Sequence, residues 1–241
     1  VKALSWLSSL MNTNPSDERY GSIKYSNIQT DSRISTEHNH DAYSAYFGRA
    51  KLSGDSSYTD KANLIKNYLI REMWAPSPTS KGPYHNVNVF WRGYNDYEWC
   101  TDPQTWGVLS LGRTGPNNEE FYKSLDWLYS NPYGSTRNSQ NYSPIITNVD
   151  GFESCTENID YIWLEGTEGA AAAYYSVSDS TKGDYFHNQV KRIPLSNGGV
   201  IHSFTTSNPT NNRWYENWRY GSVASTSWNY FNDKKINPFF C

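Results

Sequence analysis

A pair of helix signals recurs along this chain about every 60 residues, and this repeat constrains the fold more than any other feature. Within each pair, the first helix is rich in small and aromatic residues, whereas its partner carries charged and amide side chains on one face. The contrast predicts an inner ring of buried helices and an outer ring of half-exposed ones. Helical spacing and terminal Gly or Pro residues predict helices over 3–11, 41–54, 59–74, 103–112, 117–131, 165–179, 182–193 and 223–231.

We therefore predict an all-α fold, an (α/α) toroid or barrel of helical hairpins with long loops at one rim. Residues 1–241 are expected to form one domain. The helix signals give about four hairpins, or more where the long loops contain short helices. The helix at 3–11 lacks an inner partner before it, so we expect it to pack beside the last helix and close the ring.

Charge and apolar content exclude several classes of partner. The net charge is −3 and the Lys and Arg residues are scattered, which argues against nucleic-acid binding. The longest apolar runs, such as 170–175, are far too short to span a membrane. The spacing of the three cysteines matches no zinc pattern, and we predict neither a metal nor a cofactor.

Aromatic side chains are abundant, with 10 Trp and 20 Tyr in a chain that is otherwise polar. Flat amphipathic rings pack in cores, and they also stack on the apolar faces of sugars. If the inner helices run the same way, the long loops before them meet at one end of the ring. That end then collects acids, histidines and aromatics, which is the setting expected of a carbohydrate pocket.

Two glutamates stand three residues apart at the start of the alanine-rich helix in "IWLEGTEGAAAAYY". First-turn acids complement the helix dipole, so both Glu165 and Glu168 have a purely structural interpretation. Glu165 is the better functional candidate because it follows Trp163 at the loop-to-helix junction and precedes Gly166. Glu168, one turn further in, could face the ring interior and contact substrate.

Two more motifs carry candidate residues. In "TEHNHDAY", His38 could bind substrate or move a proton, and Asp41 could be a catalytic carboxylate or a helix cap. In "CTDPQTWGVLSLG", Asp102 precedes Pro103 and fits an N-cap, with catalysis as the alternative. Gln104 could orient a sugar hydroxyl, and Trp106 is either a site wall or core.

Cys100 and Cys155 fall in rim loops of adjacent repeats, and we predict a disulfide between them. Such a bond would indicate an oxidising compartment and a secreted or extracellular protein. Cys241 would then be a free or intermolecular thiol.

Several segments, in this order, resemble bacterial proteins of the six-hairpin glycosidase-like superfamily: "HNHDAY", "DPQTWGVLSLG", "VDGF", "IWLEGTEGAAAAYY", "GGVIHS" and "SVASTSW…INPF". The resemblance spans most of the chain and implies an (α/α) toroid with a carbohydrate site at one end. Many members of that superfamily are glycoside hydrolases or polysaccharide lyases, but a fold does not settle the chemistry.

The leading hypothesis is a secreted glycoside hydrolase-like enzyme of inverting type acting on a polysaccharide. Glu165 would be one carboxylate and Asp102 or Asp41 the other, far enough apart to hold a water. Sugar-binding side chains are expected to be His38, Arg92, Gln104, Trp106, Trp163, Glu168 and Trp218. The alternatives are a non-catalytic extracellular glycan-binding or assembly subunit that self-associates, and a polysaccharide lyase in which Arg92 neutralises a uronate.

Overall fold

Helices dominate the computed structural model, which describes residues 2–28, 32–78, 80–83, 86–130, 137–155, 161–193, 199–204 and 221–240. The helices are α1 (Lys2–Leu10), α2 (Thr36–Ser53), α3 (Ser56–Tyr68), α4 (Thr101–Leu111), α5 (Lys123–Ser130), α6 (Leu164–Ser176), α7 (Ser180–Lys191) and α8 (Val223–Asp233). A π-helical turn at Leu69–Met73 continues α3, and a 3-10 turn occupies Pro238–Phe240. The strands are β1 (Arg137–Gln140), β2 (Val149–Phe152), β3 (Ile162–Trp163) and β4 (Ser203–Phe204).

Short polar caps set the first hairpin. The Ser35 hydroxyl accepts the His38 N–H at 3.4 Å and starts α2, which ends at Gly54 with φ of 68°. Asp55 follows at once, and its carboxylate accepts the Ser57 N–H at 2.9 Å to start α3. A left-handed residue costs little at glycine, so the chain reverses direction between the two helices without a longer loop.

The prediction that Asp102 caps α4 is wrong. The helix begins at Thr101, one residue before Asp102. The cap position is Cys100, whose side chain makes no hydrogen bond to the first turn. Asp102 therefore lies inside the first turn of α4 and is buried. Asp41 likewise lies in the second turn of α2, since that helix begins at Thr36.

The predicted contrast between buried inner helices and half-exposed outer helices is confirmed for α4 and α6, whereas α2 and α8 each keep an exposed face. All eleven residues of α4 and ten of the thirteen in α6 are buried. The outer helices bury a single stripe, which in α7 consists of Gly183, Phe186, His187 and Val190. Helices hydrophobic on one stripe pack on the surface, whereas those without an exposed face pack inside.

The inner helices α2, α4, α6 and α8 lie side by side in that order, and Pro238–Phe240 contacts α2 and α4. Phe240 meets Phe47 of α2 edge-on at 5.9 Å between ring centroids. The main contact of α1 is with α2, where the Tyr46 hydroxyl donates to the Leu4 carbonyl at 2.9 Å. The expected closure by α1 beside the last helix is thus corrected, because the C-terminal turn approaches α2 instead.

The sequence patterns did not predict the four-stranded antiparallel sheet of this protein. Its strands β1, β2 and β3 lie between α5 and α6 in the chain, and β4 follows α7. Strands β1 and β2 pair from Arg137 opposite Phe152 to Gln140 opposite Val149, and Trp163 in β3 pairs with Ser203 in β4. A small separate core forms around this region from Val149, Ile162, Leu164, Val190, Ile193, Val200, Ile201 and Phe204. Because β3 runs directly into α6, the sheet fixes the position of Glu165.

Candidate functional site

A cavity of about 600 Å³ opens between α2 and α8. One face of α2 forms a wall, and α8 with the C-terminal 3-10 turn forms the opposite wall. The lining residues are Asp41, Ser44, Ala45, Gly48, Arg49, Leu52, Trp106, Glu165, Trp228, Phe231, Pro238 and Phe239. The cavity therefore joins two candidate carboxylates to an apolar, largely aromatic surface.

Glu165 enters the cavity from the first turn of α6. Its neighbour Gly166 lies under the Trp163 ring, and a Cβ at this glycine would stand 2.2 Å from Trp163 Cε3. The absence of a side chain therefore lets Trp163 cover the start of the helix. Desolvation, with a smaller contribution from the charge of Glu37, raises the pKa of Glu165 to about 7.

Asp41 reaches the same cavity from α2. The residue as a whole is exposed to solvent. Desolvation, and then the charge of Glu37 one helical turn earlier, raise the pKa of Asp41 to about 7.

Asp102 lies behind these two groups and is 7% exposed. Burial raises its pKa well above the ordinary value, and the charges of Glu37, Glu165 and Asp41 act in the same direction. Desolvation also raises the pKa of the half-buried Glu37. The charge of Glu37 thus opposes the ionisation of Asp41, Asp102 and Glu165, and the charges of Asp41 and Glu165 also oppose that of Asp102.

This arrangement can supply both partners of an acid/base reaction. Mutually repelling carboxyl groups ionise in steps that belong to the group as a whole. With pKa values of about 7 for Glu165 and Asp41, one carboxyl can hold its proton near neutral pH while the other is ionised. A general acid and a general base can therefore coexist in one cavity.

Four aromatic rings line the cavity, those of Trp106, Trp228, Phe231 and Phe239. Trp106 lies 6.4 Å from Trp228 and 5.4 Å from Phe239 between ring centroids, and Trp228 lies 6.3 Å from Phe239. Although Trp106 is 91% buried, its indole Nε1 has no hydrogen-bond partner in the described part of the chain. A buried unpaired donor costs free energy of folding, and this nitrogen is not accessible from the cavity.

Gln104 and Glu168, both predicted to contact sugar, lie in the core away from the cavity lining. The Gln104 amide oxygen accepts the Phe90 N–H at 2.8 Å, and its nitrogen donates to the Phe90 carbonyl at 2.7 Å and the Cys100 carbonyl at 3.1 Å. Gln104 therefore holds the segment 86–100 against α4 through three hydrogen bonds.

Glu168 holds three helices together. Its carboxylate accepts hydrogen bonds from Asn229 at 2.7 Å and Asn232 at 2.5 Å, both on α8. His187 Nδ1 of α7 lies 2.9 Å from the same group, while Nε2 contacts Asp233 at 3.1 Å. With every partner in place and no exposure, Glu168 is a structural residue.

The remaining predicted sugar-binding residues do not line the cavity or lie outside the described residues. His38 stacks on Tyr25 with ring centroids 4.7 Å apart, and Arg92 donates from Nε to Asp96 at 2.7 Å. Trp163 lies over Gly166 beside Glu165 but does not line the cavity. Trp218 is outside the described residues.

The predicted disulfide between Cys100 and Cys155 is confirmed. It lies at the start of α4, and the next residue, Thr101, makes two hydrogen bonds to the residues that follow β2. The Thr101 N–H donates to the Ser154 carbonyl at 2.7 Å, and its hydroxyl donates to the Glu153 carbonyl at 2.6 Å. The disulfide and these bonds together fix the first turn that carries Asp102.

Sequence reasoning missed Glu37, Trp228 and Phe239 as residues of this site. Glu37 had a usable signal, since it stands four residues before Asp41 on the same helix face. In the described ranges there is no group of three or more His, Cys, Asp or Glu side chains suited to a metal ion. The same ranges contain no helix whose length and apolar character would carry it across a membrane.

Comparisons with known proteins connect this geometry to a fold. No protein-family model matches the sequence, and no curated protein sequence matches it either. Among solved structures, the GH76A α-1,6-mannanase from Salegentibacter sp. HEL1_6 is similar at a TM-score of 0.58 and 10% identity, over 98% of this chain and 62% of that one. D-mannose isomerase is similar at a TM-score of 0.60 and 13% identity, over 96% and 64%.

A mutant of a reducing-end-xylose-releasing exo-oligoxylanase is similar at a TM-score of 0.54 and 11% identity, covering 98% of this chain and 66% of that one. The chain thus spans a little under two thirds of the length of these structures. An inactive variant of the same mannanase was solved in complex with α-1,6-mannotriose. The inner and outer helices together with these similarities show that the chain has an (α/α)-toroid fold.

Proposed function

We propose that this chain is a carbohydrate-active, glycoside hydrolase-like protein that cleaves a polysaccharide in the cavity between α2 and α8. The observation that carries the proposal is that Asp41 and Glu165, on separate inner helices, line one aromatic-walled cavity. Glycosidases of the common types use such a pair of carboxyl groups on either side of the scissile bond.

Glu165 would act as the general acid. It is half-buried, and desolvation keeps its proton in place near neutral pH. The proton passes to the glycosidic oxygen as the bond to the anomeric carbon breaks. Asp41, which is exposed to solvent, would take a proton from the attacking water. A direct displacement of this kind inverts the configuration at the anomeric carbon.

The neighbouring residues would set the charge of the site and bind the sugar ring. Burial raises the pKa of Asp102 well above its ordinary value, which favours the neutral form of this carboxyl group beside the two reacting ones. Trp106 and Trp228 offer flat faces for a sugar ring. A secreted or extracellular location is part of the proposal, supported by the disulfide.

A non-catalytic glycan-binding role is the second candidate, and the aromatic lining of the cavity favours it. Aromatic rings that stack on sugars would suffice for binding without cleavage. In this role the protein would also self-associate.

The test is a digestion screen on mannan, xylan, glucan and uronate-containing polysaccharides with wild type, Glu165→Gln and Asp41→Asn. Asp60→Asn is the matched control, because Asp60 is exposed on the outer helix α3. Products from wild type and the control but neither variant support the proposal. Products that persist in both variants contradict it, and unsaturated products that absorb in the ultraviolet would establish a lyase.

A further inference from the structure

Arg49 is the single cation among the residues that line the cavity. It stands eight residues after Asp41 on α2. At a helical rise of 1.5 Å per residue, the two positions are about 12 Å apart along the helix axis. The cavity thus has an acidic end at Asp41 and Glu165 and a cationic end at Arg49, separated by more than one sugar unit.

The guanidinium of Arg49 is held in place but not neutralised. Its Cζ lies 5.7 Å from the centroid of the Tyr58 ring, a distance that allows cation–π attraction. Its Nε is buried without a hydrogen-bond partner, and no ion pair links it to a carboxylate in the ranges that the structure describes. Asp55 contributes attraction through its charge, but its carboxylate accepts the Ser57 N–H as the cap of α3.

Because no carboxylate of the described residues pairs with it, the half-buried guanidinium would gain charge-assisted hydrogen bonds when an oxyanion binds its terminal nitrogens. Arginine suits this task because its planar donors match two oxygens of a carboxylate or sulfate at once. A neutral hydroxyl would satisfy one donor and leave the charge uncompensated.

We infer that Arg49 binds an oxyanion carried by the sugar chain and so makes the cavity selective for acidic polysaccharide segments. The oxyanion is either the carboxylate of a uronate or a sulfate ester, since both present the same fork of oxygens. This inference rests on the proposed function, because it takes the cavity as the sugar site.

Charge also sets the orientation of the bound chain. A negative substituent next to Asp41 and Glu165 would be repelled whenever one of them is ionised. The same substituent beside Arg49 is attracted, so the acidic unit occupies the Arg49 end and the scissile bond lies at the carboxyl end. Arg49 is then a specificity-determining residue, which touches the substrate away from the reacting atoms.

The test measures binding in the Glu165→Gln background, which prevents turnover, by titration calorimetry. The probes are two matched pairs: tri-galacturonate against its methyl ester, and a sulfated galactan oligosaccharide against its desulfated form. We expect one acidic probe to bind and its neutral match to bind at least about tenfold more weakly. Whichever acidic probe binds identifies the oxyanion as carboxylate or sulfate.

Arg49→Gln should weaken binding of the acidic probe by at least about tenfold and leave the neutral probe unchanged. Arg49→Lys keeps the charge without the fork and should give an intermediate loss. The control is Arg113→Gln, whose guanidinium similarly lies 4.6 Å from the Tyr122 ring but does not line the cavity. Unchanged unfolding midpoints would show that the variants are folded. If Arg49→Gln does not fold, the binding comparison uses Arg49→Lys instead.

Equal binding of acidic and neutral probes, no binding of any probe, or an Arg49 variant that binds like the control would overturn the inference. Cleavage of neutral polysaccharide alone would do the same while leaving the proposed hydrolysis intact. Binding through Arg49 without cleavage of any polysaccharide would uphold the acidic selectivity and remove the hydrolase activity.

Discussion

Two glutamates one helical turn apart on α6 lie in opposite environments. Glu165 projects into the cavity, where no side chain of opposite charge among the described residues neutralises it and its pKa is raised. Glu168 is fully buried in a region where two asparagines and His187 satisfy its carboxylate. A buried acid without compensation is available for proton transfer, whereas one with every partner in place contributes to stability.

The largest expected effect is on catalysis, and it tests the contrast between Glu165 and Glu168. Glu165→Gln should lower kcat on the glycan substrate by about 10²–10⁴-fold, because the amide cannot donate the proton to the leaving oxygen. The free energy of unfolding should stay the same or rise slightly, since an ionisable group leaves a desolvated site. Steady-state kinetics and urea unfolding measure both, and a large loss of stability would show that Glu165 is structural.

Glu168→Ala should act in the opposite way. The change leaves His187, Asn229 and Asn232 without their shared partner, and the free energy of unfolding should fall by about 3–5 kcal/mol. Urea unfolding measures the loss. Glu168→Gln keeps one carbonyl acceptor and should cost less, so a fully stable Glu168→Ala would contradict the structural role.

The pH dependence of activity sharpens the assignment of Glu165 and Asp41. The acid must hold its proton, so activity should fall as pH rises above about 7, and the base must be ionised, so activity should fall below about 7. A narrow bell centred near neutral pH is therefore expected in kcat/KM. A plateau from pH 5 to 9 would contradict the pairing.

The smallest expected effect is the pH dependence of the free energy of unfolding that arises from the contact between His187 and Glu168. Burial lowers the pKa of His187, but its hydrogen bond to Glu168, the charge of Glu168 and the bond to Asp233 outweigh this, and the pKa is raised. The stabilisation is therefore complete below the unfolded pKa of about 6.5 and is lost as pH rises through the folded value.

Unfolding at pH 6 and pH 8 in wild type and His187→Gln isolates this contribution. The raised pKa values of Glu165 and Asp41 also make wild type less stable as pH rises, so the difference between the two proteins carries the information. A variant that keeps the full slope of wild type would show that His187 does not contribute.

The ring of helices could be predicted from sequence because inner and outer helices differ in composition and period over ten or more residues. The small sheet could not, since strands such as Ile162–Trp163 are too short to show an alternating pattern. The start of α4 was misplaced because it is fixed by the partners of Cys100 and Thr101 across the chain rather than by a local cap.

The candidate site was only partly predictable for a related reason. Asp41 and Glu165 stood out because they lie near the starts of inner helices. Gln104 and Glu168 have the same positions and chemistry, yet tertiary partners remove them from the cavity lining. Which face of a fully buried helix meets a cavity depends on its neighbours, and the sequence of the helix alone does not contain that information.

The bond between Cys100 and Cys155 closes a covalent loop around α4, α5, β1 and β2. A protease that cuts once between Thr101 and Ser154 would leave two fragments that remain joined through sulfur. Such a nicked molecule would migrate at full mass on a non-reducing gel and separate only after a thiol is added. The α4–α5 hairpin would thus stay covalently attached to the rest of the chain after a backbone break.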